Sequence, residues 1–175
     1  TEVDTALGPE MRSTGEVMGI DVTFGRAFYK AELAAGTVLP TSGTVFLSLA
    51  DGDKPAGIVV AKRLRALGFG IVATPGTADY LSRFGHMVDA VVGKVSEGAK
   101  ITAVNLIASG DISFVINTPQ GRGGRTDGEA IRKAANVHRV CSVTTVEAAL
   151  AAAQGMAEQI HHPLEVKSLQ EYHGR

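Results

Sequence analysis

The tetrapeptide Thr-Pro-Gly-Thr at residues 74–77 is the part of the sequence best suited to bind an anion. It lies between a short apolar run at 69–73 and a helical pattern that extends to about Phe84. The start of a helix offers backbone N–H groups and a partial positive charge, and the two threonines add hydroxyl groups. Gly76 lets the backbone approach an oxygen closely. The alternative interpretation is an ordinary Pro-Gly turn in which Thr74 is a helix N-cap.

Ligands of open parallel sheets bind beyond the carboxyl ends of the strands. At these positions the sequence has mainly hydroxyl groups, amides and lysines, few carboxylates and no histidine. The candidate ligand-binding residues at these positions include Ser48, Lys54, Thr74, Gly76, Thr77, Lys94, Asn117 and Thr118. Such a set suits a phosphate, on which Lys54 and Lys94 are expected to converge. Taken singly, each lysine is better explained as an exposed surface charge.

The elements that must position these residues follow from hydrophobic periodicity. Short, nearly continuous apolar runs alternate with helical patterns, and they predict strands at 44–49, 69–73, 88–92, 112–116 and 140–143. Strands that are apolar throughout are typical of a parallel sheet covered by helices on both faces. The sequence therefore predicts an α/β fold with a doubly wound parallel sheet of about five strands.

Glycines, prolines and capping residues mark the expected ends of the other elements. Before the first strand, the patterns predict a linker or arm over 1–22 and a helix capped by Thr23 and ended by Gly36. Between the strands they predict a helix with Pro55 in its first turn and Gly68 at its end, a helix ended by Gly110, and a helix around Ile131 capped by Asp127. After the last strand they predict an Ala-rich helix over 145–160 with a Thr144–Glu147 capping box, and a short edge strand at 166–169.

Other motifs that could carry chemistry are weaker. The glycine-rich segment 120–125 either closes its arginines over a phosphate or is a surface loop without a ligand. It lacks the P-loop spacing, and no dinucleotide-binding fingerprint follows the first strand. The histidines lack metal-site spacing, and the pair at 161–162 is expected to face solvent. The single cysteine, Cys141, excludes an internal disulfide and a cysteine-built zinc site, and we expect it in the core.

Composition limits the class of protein. The 175 residues have the length of one domain, and 17 basic against 18 acidic residues give no excess of positive charge for nucleic acid. With 3 Tyr, 6 Phe and no Trp, aromatic platforms for bases are not expected. No apolar run approaches the ~20 residues of a membrane span, and no signal-peptide pattern is present. We therefore expect a cytoplasmic domain with no nucleic-acid or membrane partner.

Several segments carry a resemblance to a known family: STGEVMGID at 13–21, FGRAFYKAELAAG at 24–36, LSLADGDK at 47–54, ATPGTADYL at 73–81 and VINTPQG at 115–121. They resemble the C-terminal end of the large subunit of carbamoyl-phosphate synthase, and the resemblance covers almost the whole chain. The first two segments are the most specific, whereas the TPGT turn is shared across a wider superfamily.

The resemblance implies two parts, a linker or helical arm over 1–39 that follows a synthetase unit and a domain of the methylglyoxal-synthase fold over 40–175. It also implies that the chain, which starts at Thr1 without methionine, is the excised tail of a longer polypeptide.

The resemblance implies regulation instead of catalysis by this domain. Family members bind nucleotide or ornithine effectors here and pass the signal to the synthetase units of the same chain. The parent enzyme is then a glutamine-hydrolysing, ATP-dependent ligase of pyrimidine and arginine biosynthesis, with Mg²⁺ or Mn²⁺ and a small glutaminase subunit. In the domain itself no cofactor or metal is implied. UMP is the expected effector, and IMP is the second candidate.

Six residues match the nucleotide pocket of the family, namely Ser48, Lys54, Thr74, Thr77, Lys94 and Asn117. By this resemblance the two threonines hold the phosphate, Lys54 or Lys94 supplies positive charge, and Asn117 addresses the sugar or base. Pro119 stands where the family commonly has another hydroxyl residue. The segment 141–143 lacks the Tyr-Asp pair that some members use for ornithine. A UMP-like ligand is therefore favoured over ornithine.

Two alternatives belong to other functional classes. A phosphate lyase of the methylglyoxal-synthase type needs a carboxylate base, but its two aspartate-bearing segments correspond here to 94–98 and 118–119, which contain no Asp. An interaction module with a vestigial pocket is the other alternative. The presence of both threonines and both lysines favours a sensor.

Overall fold

A computed structural model describes residues 17–93, 101–119 and 125–174, and five parallel strands form its centre. The strands are β1 Thr44–Ser48, β2 Gly70–Ala73, β3 Ala90–Val91, β4 Phe114–Asn117 and β5 Cys141–Val143. Their order in the sheet is β3-β2-β1-β4-β5, so the chain moves outward from β1 first to one side and then to the other. The predicted α/β class with a five-stranded parallel sheet is confirmed.

The helices of the described residues are α1 Phe24–Ala34, α2 Lys54–Ala66, α3 Pro75–Arg83, α4 Ala103–Ala108, α5 Arg125–Val137, α6 Val146–His161 and α7 Leu169–Tyr172, with a 3₁₀ turn at Asp51–Asp53. Thr23 caps α1, as predicted, because its Oγ1 accepts the N–H of Arg26. Gly36 and Gly68 follow α1 and α2 at φ +83° and +86°, the left-handed conformation that ends a helix. None of the helices within the described ranges is both long and apolar enough to cross a membrane.

Three local predictions are wrong. Thr145, not Thr144, caps α6, and its Oγ1 accepts the N–H of Ala148 at 3.1 Å. Asp127 lies inside the first turn of α5 instead of capping it, since the helix already begins at Arg125. Residues 166–169 form no strand, because Ser168 and Glu171 make a capping box that begins α7. Residues 1–16 of the predicted arm lie outside the described residues.

Strand β1 separates two apolar layers. Val45 and Leu47 face a layer shared with α2, α3 and α6, whereas Phe46 faces a second layer shared with α4 and α5. All three side chains are fully buried. Because both faces of the sheet are covered, ligands can reach the central strands only at the sheet edges where the strands end.

Helix α1 lies against α6 at a close approach of two backbones. Gly25 is buried, and a Cβ at this position would lie 3.0 Å from the carbonyl oxygen of Gln154 and 2.8 Å from Cγ of Glu158. Thr23 Oγ1 also donates a hydrogen bond to Glu158 Oε1 at 2.9 Å. The first helix is therefore seated on the last long helix by steric fit and by a polar contact.

A polar network joins the segment before α1 to α7. Lys30 Nζ lies 2.8 Å from Asp21 Oδ2 and donates to the hydroxyl of Tyr172 at 3.0 Å, and this hydroxyl donates to the carbonyl of Ile20 at 2.9 Å. The hydrogen bond from Lys30 lowers the pKa of Asp21 below its ordinary value. The two ends of the described chain are thus held together by a nearly buried carboxylate and its cation.

The lowered pKa of Asp21 predicts an acid-dependent contribution to stability. A carboxylate whose pKa is lower in the folded state stabilises the fold above its unfolded-state pKa, and this contribution is lost as the pH falls through the folded-state pKa. We expect Asp21→Asn to lower the free energy of unfolding at pH 7, and we expect the difference from the parent chain to shrink below pH ~4.

Urea denaturation at pH 7, 4 and 3 measures this difference. Asp79→Asn, which removes an exposed carboxylate paired with Arg83 on α3, is the matched control. If Asp21→Asn lowers the free energy of unfolding by the same amount at all three pH values, the lowered pKa of Asp21 in the folded state is contradicted.

Candidate functional site

The carboxyl ends of the three central strands meet at one edge of the sheet. Leu47 of β1 pairs with Ala73 of β2, and Ser48 pairs with Asn117 of β4. The N–H of Thr74 donates to the carbonyl of Leu47 at 3.1 Å, and the N–H of Thr118 donates to that of Ser48 at 2.9 Å. The structure therefore brings Ser48, Thr74, Asn117 and Thr118 together, as the topological argument predicts.

Two threonine hydroxyls hold the segment that follows β1. Thr77 Oγ1 accepts the N–H of Leu49 at 3.0 Å, and Thr118 Oγ1 accepts the N–H of Ala50 at 2.7 Å. Both threonines are buried, with 1% and 3% of their surface exposed. Sequence reasoning treated them as ligand-binding residues and missed this structural role, which depends on contacts between residues 28 and 68 positions apart.

Thr74 occupies the N-cap position of α3, but its side chain makes no capping hydrogen bond. Its hydroxyl instead donates to Thr77 Oγ1 at 3.1 Å. Pro75 has no N–H, and the N–H of Gly76 has no acceptor within the helix, as at any helix start. The first turn of α3 thus presents a backbone donor and a partial positive charge at the edge where the strands end.

Lys54, the first residue of α2, is carried to the same turn. Only 14% of its side chain is exposed, and Nζ lies 2.6 Å from Oδ1 of Asp51, whose own side chain is 88% exposed. A Cβ on Gly76 would lie 3.5 Å from Lys54 Nζ, so the ammonium sits over the start of α3. The result is a largely buried cation above a helix N-terminus, paired with a solvated carboxylate.

Asn117 ends β4 with only 5% of its surface exposed. Its amide nitrogen Nδ2 is buried and has no hydrogen-bond acceptor in the part of the chain that the structure describes. A buried donor without an acceptor costs roughly 1–3 kcal/mol, so it calls for an explanation. A ligand oxygen at this edge of the sheet would supply the missing acceptor.

Two predicted features lie outside the described residues. Lys94 follows β3 in a segment that is not described, and so do the loop residues 120–124. The convergence of Lys54 and Lys94 on one phosphate, and closure of the loop arginines, therefore stay predictions. Ser48 is half-buried at the end of β1, where its backbone carbonyl accepts the N–H of Thr118.

Cys141 and the histidines take no part in this edge of the sheet. Cys141 packs against the core, and burial raises the pKa of its thiol to about 12, so that it is neutral at physiological pH. Within the described ranges no group of His, Cys, Asp and Glu side chains could hold a metal ion. Cys141 is only partly buried, so it lies at the margin of the core and not fully inside it as expected.

A cavity of about 310 Å³ lies elsewhere, between the start of α1 and the second half of α6. Phe24, Glu158, His161 and His162 are among the residues that line it. It lacks lysine and arginine, whereas the edge formed by the ends of the strands combines a cation, a helix start and an orphaned amide. The chemistry of a phosphate site is therefore found at the strand ends and not in this cavity.

The family model for MGS-like domains matches residues 57–144, half of the chain. The chain belongs to the MGS-like domain family. The matched region runs from α2 through β5 and includes Thr74, Gly76, Thr77, Asn117 and Thr118 of the candidate site. Ser48 and Lys54 precede it.

Carbamoyl phosphate synthase large chains are similar to this MGS-like chain over nearly its whole length. Identity to the protein of Archaeoglobus fulgidus is 46% over 172 residues, which cover 98% of this chain and 16% of the relative. Identity to that of Rubrobacter xylanophilus is 51%, over 91% of this chain and 15% of the relative. A C-terminal section of the large chain from Methanopyrus kandleri is 51% identical, over 88% of this chain and 28% of the relative. The chain thus spans only a small part of these relatives.

The buried hydroxyl of Thr77 generates a prediction about stability. Thr77→Val keeps the volume of the side chain but leaves the buried N–H of Leu49 without its acceptor, which costs roughly 1–3 kcal/mol. We expect a loss of that size in the free energy of unfolding, measured by urea denaturation. Thr77→Ser keeps the hydroxyl, so it is expected to retain most of the stability. Equal losses for the two variants would contradict a role for the hydrogen bond.

Proposed function

We propose that this chain is the effector-binding regulatory domain of a carbamoyl phosphate synthase large chain. We further propose that a nucleotide such as UMP binds at the carboxyl ends of β1, β2 and β4. The position of Lys54 carries the proposal, because its ammonium lies beside Gly76 over the first turn of α3. Membership of the MGS-like family and the similar large chains support it.

A phosphate group matches this arrangement in charge and in hydrogen bonding. The start of α3 offers the N–H of Gly76 and a partial positive charge, and the nearly buried ammonium of Lys54 adds a full charge. Thr74 has a hydroxyl at the same turn, where it donates to Thr77 Oγ1. Asp51 is the ion-pair partner of Lys54. Because the side chain of Asp51 is exposed, its carboxylate can rotate into solvent when a phosphate approaches Lys54.

We propose that this domain binds an effector and does not itself catalyse a reaction. Proton abstraction next to a carbonyl needs a carboxylate base that faces the bound substrate. Asp51, the carboxylate in contact with Lys54, is exposed and ion-paired instead of facing a substrate pocket. A phosphate cradle with no such base among the residues that the structure describes fits an effector site.

The wider role follows from the relatives and is likewise a proposal. The parent large chain would be a cytoplasmic, ATP-dependent ligase with Mg²⁺ or Mn²⁺ in its synthetase units and a small glutaminase subunit as partner, serving pyrimidine and arginine biosynthesis. The effector would act by binding one arrangement of this domain and its synthetase neighbours more tightly than another. Coupling of this kind is typically worth ~1–3 kcal/mol.

Isothermal titration of the chain with UMP tests the proposed site. We expect affinity in the micromolar range, and we expect Lys54→Gln to weaken it by about tenfold or more, because a charge-assisted contact to phosphate is lost. Lys62→Gln removes an exposed lysine on α2 and is the matched control, expected to stay within about twofold of the parent chain.

Two outcomes would contradict the proposal. The absence of heat with UMP and IMP at high concentration would contradict nucleotide binding. Equal affinities for the Lys54→Gln and Lys62→Gln variants would contradict the placement of the phosphate beside Lys54.

A further inference from the structure

Helix α2 has a glycine as its fourth residue, and the backbone conformation does not explain it. Gly57 is buried in the helix, and its φ lies outside the left-handed region that favours glycine. Within a helix, glycine is less favourable than every other residue except proline. An isolated glycine at such a position usually has a packing reason. The neighbours of Gly57 therefore need to explain its small size.

The neighbour that requires a glycine is Leu49, in the segment that follows β1. A Cβ on residue 57 would lie 2.2 Å from Leu49 Cδ1 and 3.6 Å from Leu49 Cγ. Non-bonded carbon atoms pack at ~3.5–4.0 Å, so only the terminal methyl group of Leu49 conflicts with a side chain at this position. Leu49 is 2% exposed within the apolar layer shared by α2, α3 and α6, so this methyl group has no solvent to move into.

Leu49 is also fixed to α3. Its N–H donates to Oγ1 of Thr77, in the first turn of α3, at 3.0 Å. Leu49 thus contacts α3 through its backbone and α2 through its side chain. The length of this side chain and the absence of one on Gly57 together set how closely the start of α2 approaches the start of α3.

This approach determines where the ammonium of Lys54 lies. Lys54 precedes Gly57 by three positions, and residues three apart lie on the same face of a helix. Its Nζ lies 3.5 Å from where a Cβ on Gly76 would be, over the first turn of α3. A methyl group on residue 57 would need roughly 1 Å of extra separation from Leu49. If α2 moves by that amount, the ammonium moves away from the N–H of Gly76.

We propose that Gly57 and Leu49 are a matched pair of positioning residues for the phosphate site. The pair sets the distance between the Lys54 ammonium and the first turn of α3, and thereby the affinity for a phosphate group. Both residues act through Lys54 and not by contact with the ligand. The proposal rests on the proposed function, because it states what holds the cation of that site in place.

Titration calorimetry with UMP tests the pair. Gly57→Ala introduces the overlap with a residue that favours the helix, and we expect it to weaken UMP binding by about fivefold. Gly52→Ala is the matched control, because a Cβ on Gly52 meets no atom within 4 Å and this glycine lies in the turn just before α2. We expect the affinity of this control to stay within about twofold of the parent chain.

Two double variants distinguish positioning from a general loss of structure. Leu49→Val removes Cδ1, so its combination with Gly57→Ala relieves the overlap and is expected to bring the affinity to within about twofold of the parent chain. In the Lys54→Gln background the cation is already absent. There we expect Gly57→Ala to weaken UMP binding by no more than about twofold, because changes that act on one contact are not additive.

The outcomes separate this inference from the proposed function. If Lys54→Gln weakens UMP binding but Gly57→Ala does not, the positioning role is wrong and the effector site stands. If Gly57→Ala has the same effect with and without Lys54, its effect does not pass through the cation and the inference is overturned. A parent chain that does not bind UMP contradicts the proposed function, and the inference fails with it.

The double variant of Leu49→Val and Gly57→Ala also serves if Gly57→Ala alone does not fold. Circular dichroism shows whether each variant is folded before the titration. A folded double variant that binds UMP with the affinity of the parent chain supports the matched pair. A folded double variant that has lost this affinity overturns it.

Discussion

The turn after β1 is held from both sides by buried hydroxyl groups, and the candidate site depends on this constraint. Thr77 of α3 accepts the N–H of Leu49, and Thr118, just after β4, accepts the N–H of Ala50. These bonds tie the ends of three neighbouring strands to one short segment. That segment leads directly into α2, so the hydroxyls also fix where Lys54 enters the edge of the sheet.

The charge that matters for the proposed effector is local. The whole chain has a net charge of −1, which gives no indication of an anion site. Lys54 nevertheless reaches the carboxyl edge of the sheet, where its ammonium lies over Gly76 at the start of α3. The electric field of such a fixed cation acts over a few ångströms. In a partly desolvated setting this field is screened less than in water. A near-neutral protein can therefore bind a phosphorylated ligand.

Local patterns in the sequence were sufficient for most of the fold. The apolar runs predicted all five strands, and Thr23, Gly36 and Gly68 marked helix ends where the structure has them. Prediction failed where local signals compete. Thr144 and Thr145 are equally good N-caps by type, and only the start of α6 decides between them.

The candidate site could be predicted only in part. The positions of Ser48, Thr74 and Asn117 follow from the topology of a parallel sheet, and the structure brings them together. The structural roles of Thr77 and Thr118 could not be predicted, since they depend on the strand register.

The structure of this chain in complex with UMP tests the central claim most directly. The account predicts density for the phosphate within hydrogen-bond distance of Lys54 Nζ and the N–H of Gly76, with the nucleoside extending across β1 towards Asn117. A nucleotide in the cavity between α1 and α6, or a phosphate out of reach of Lys54, would contradict it.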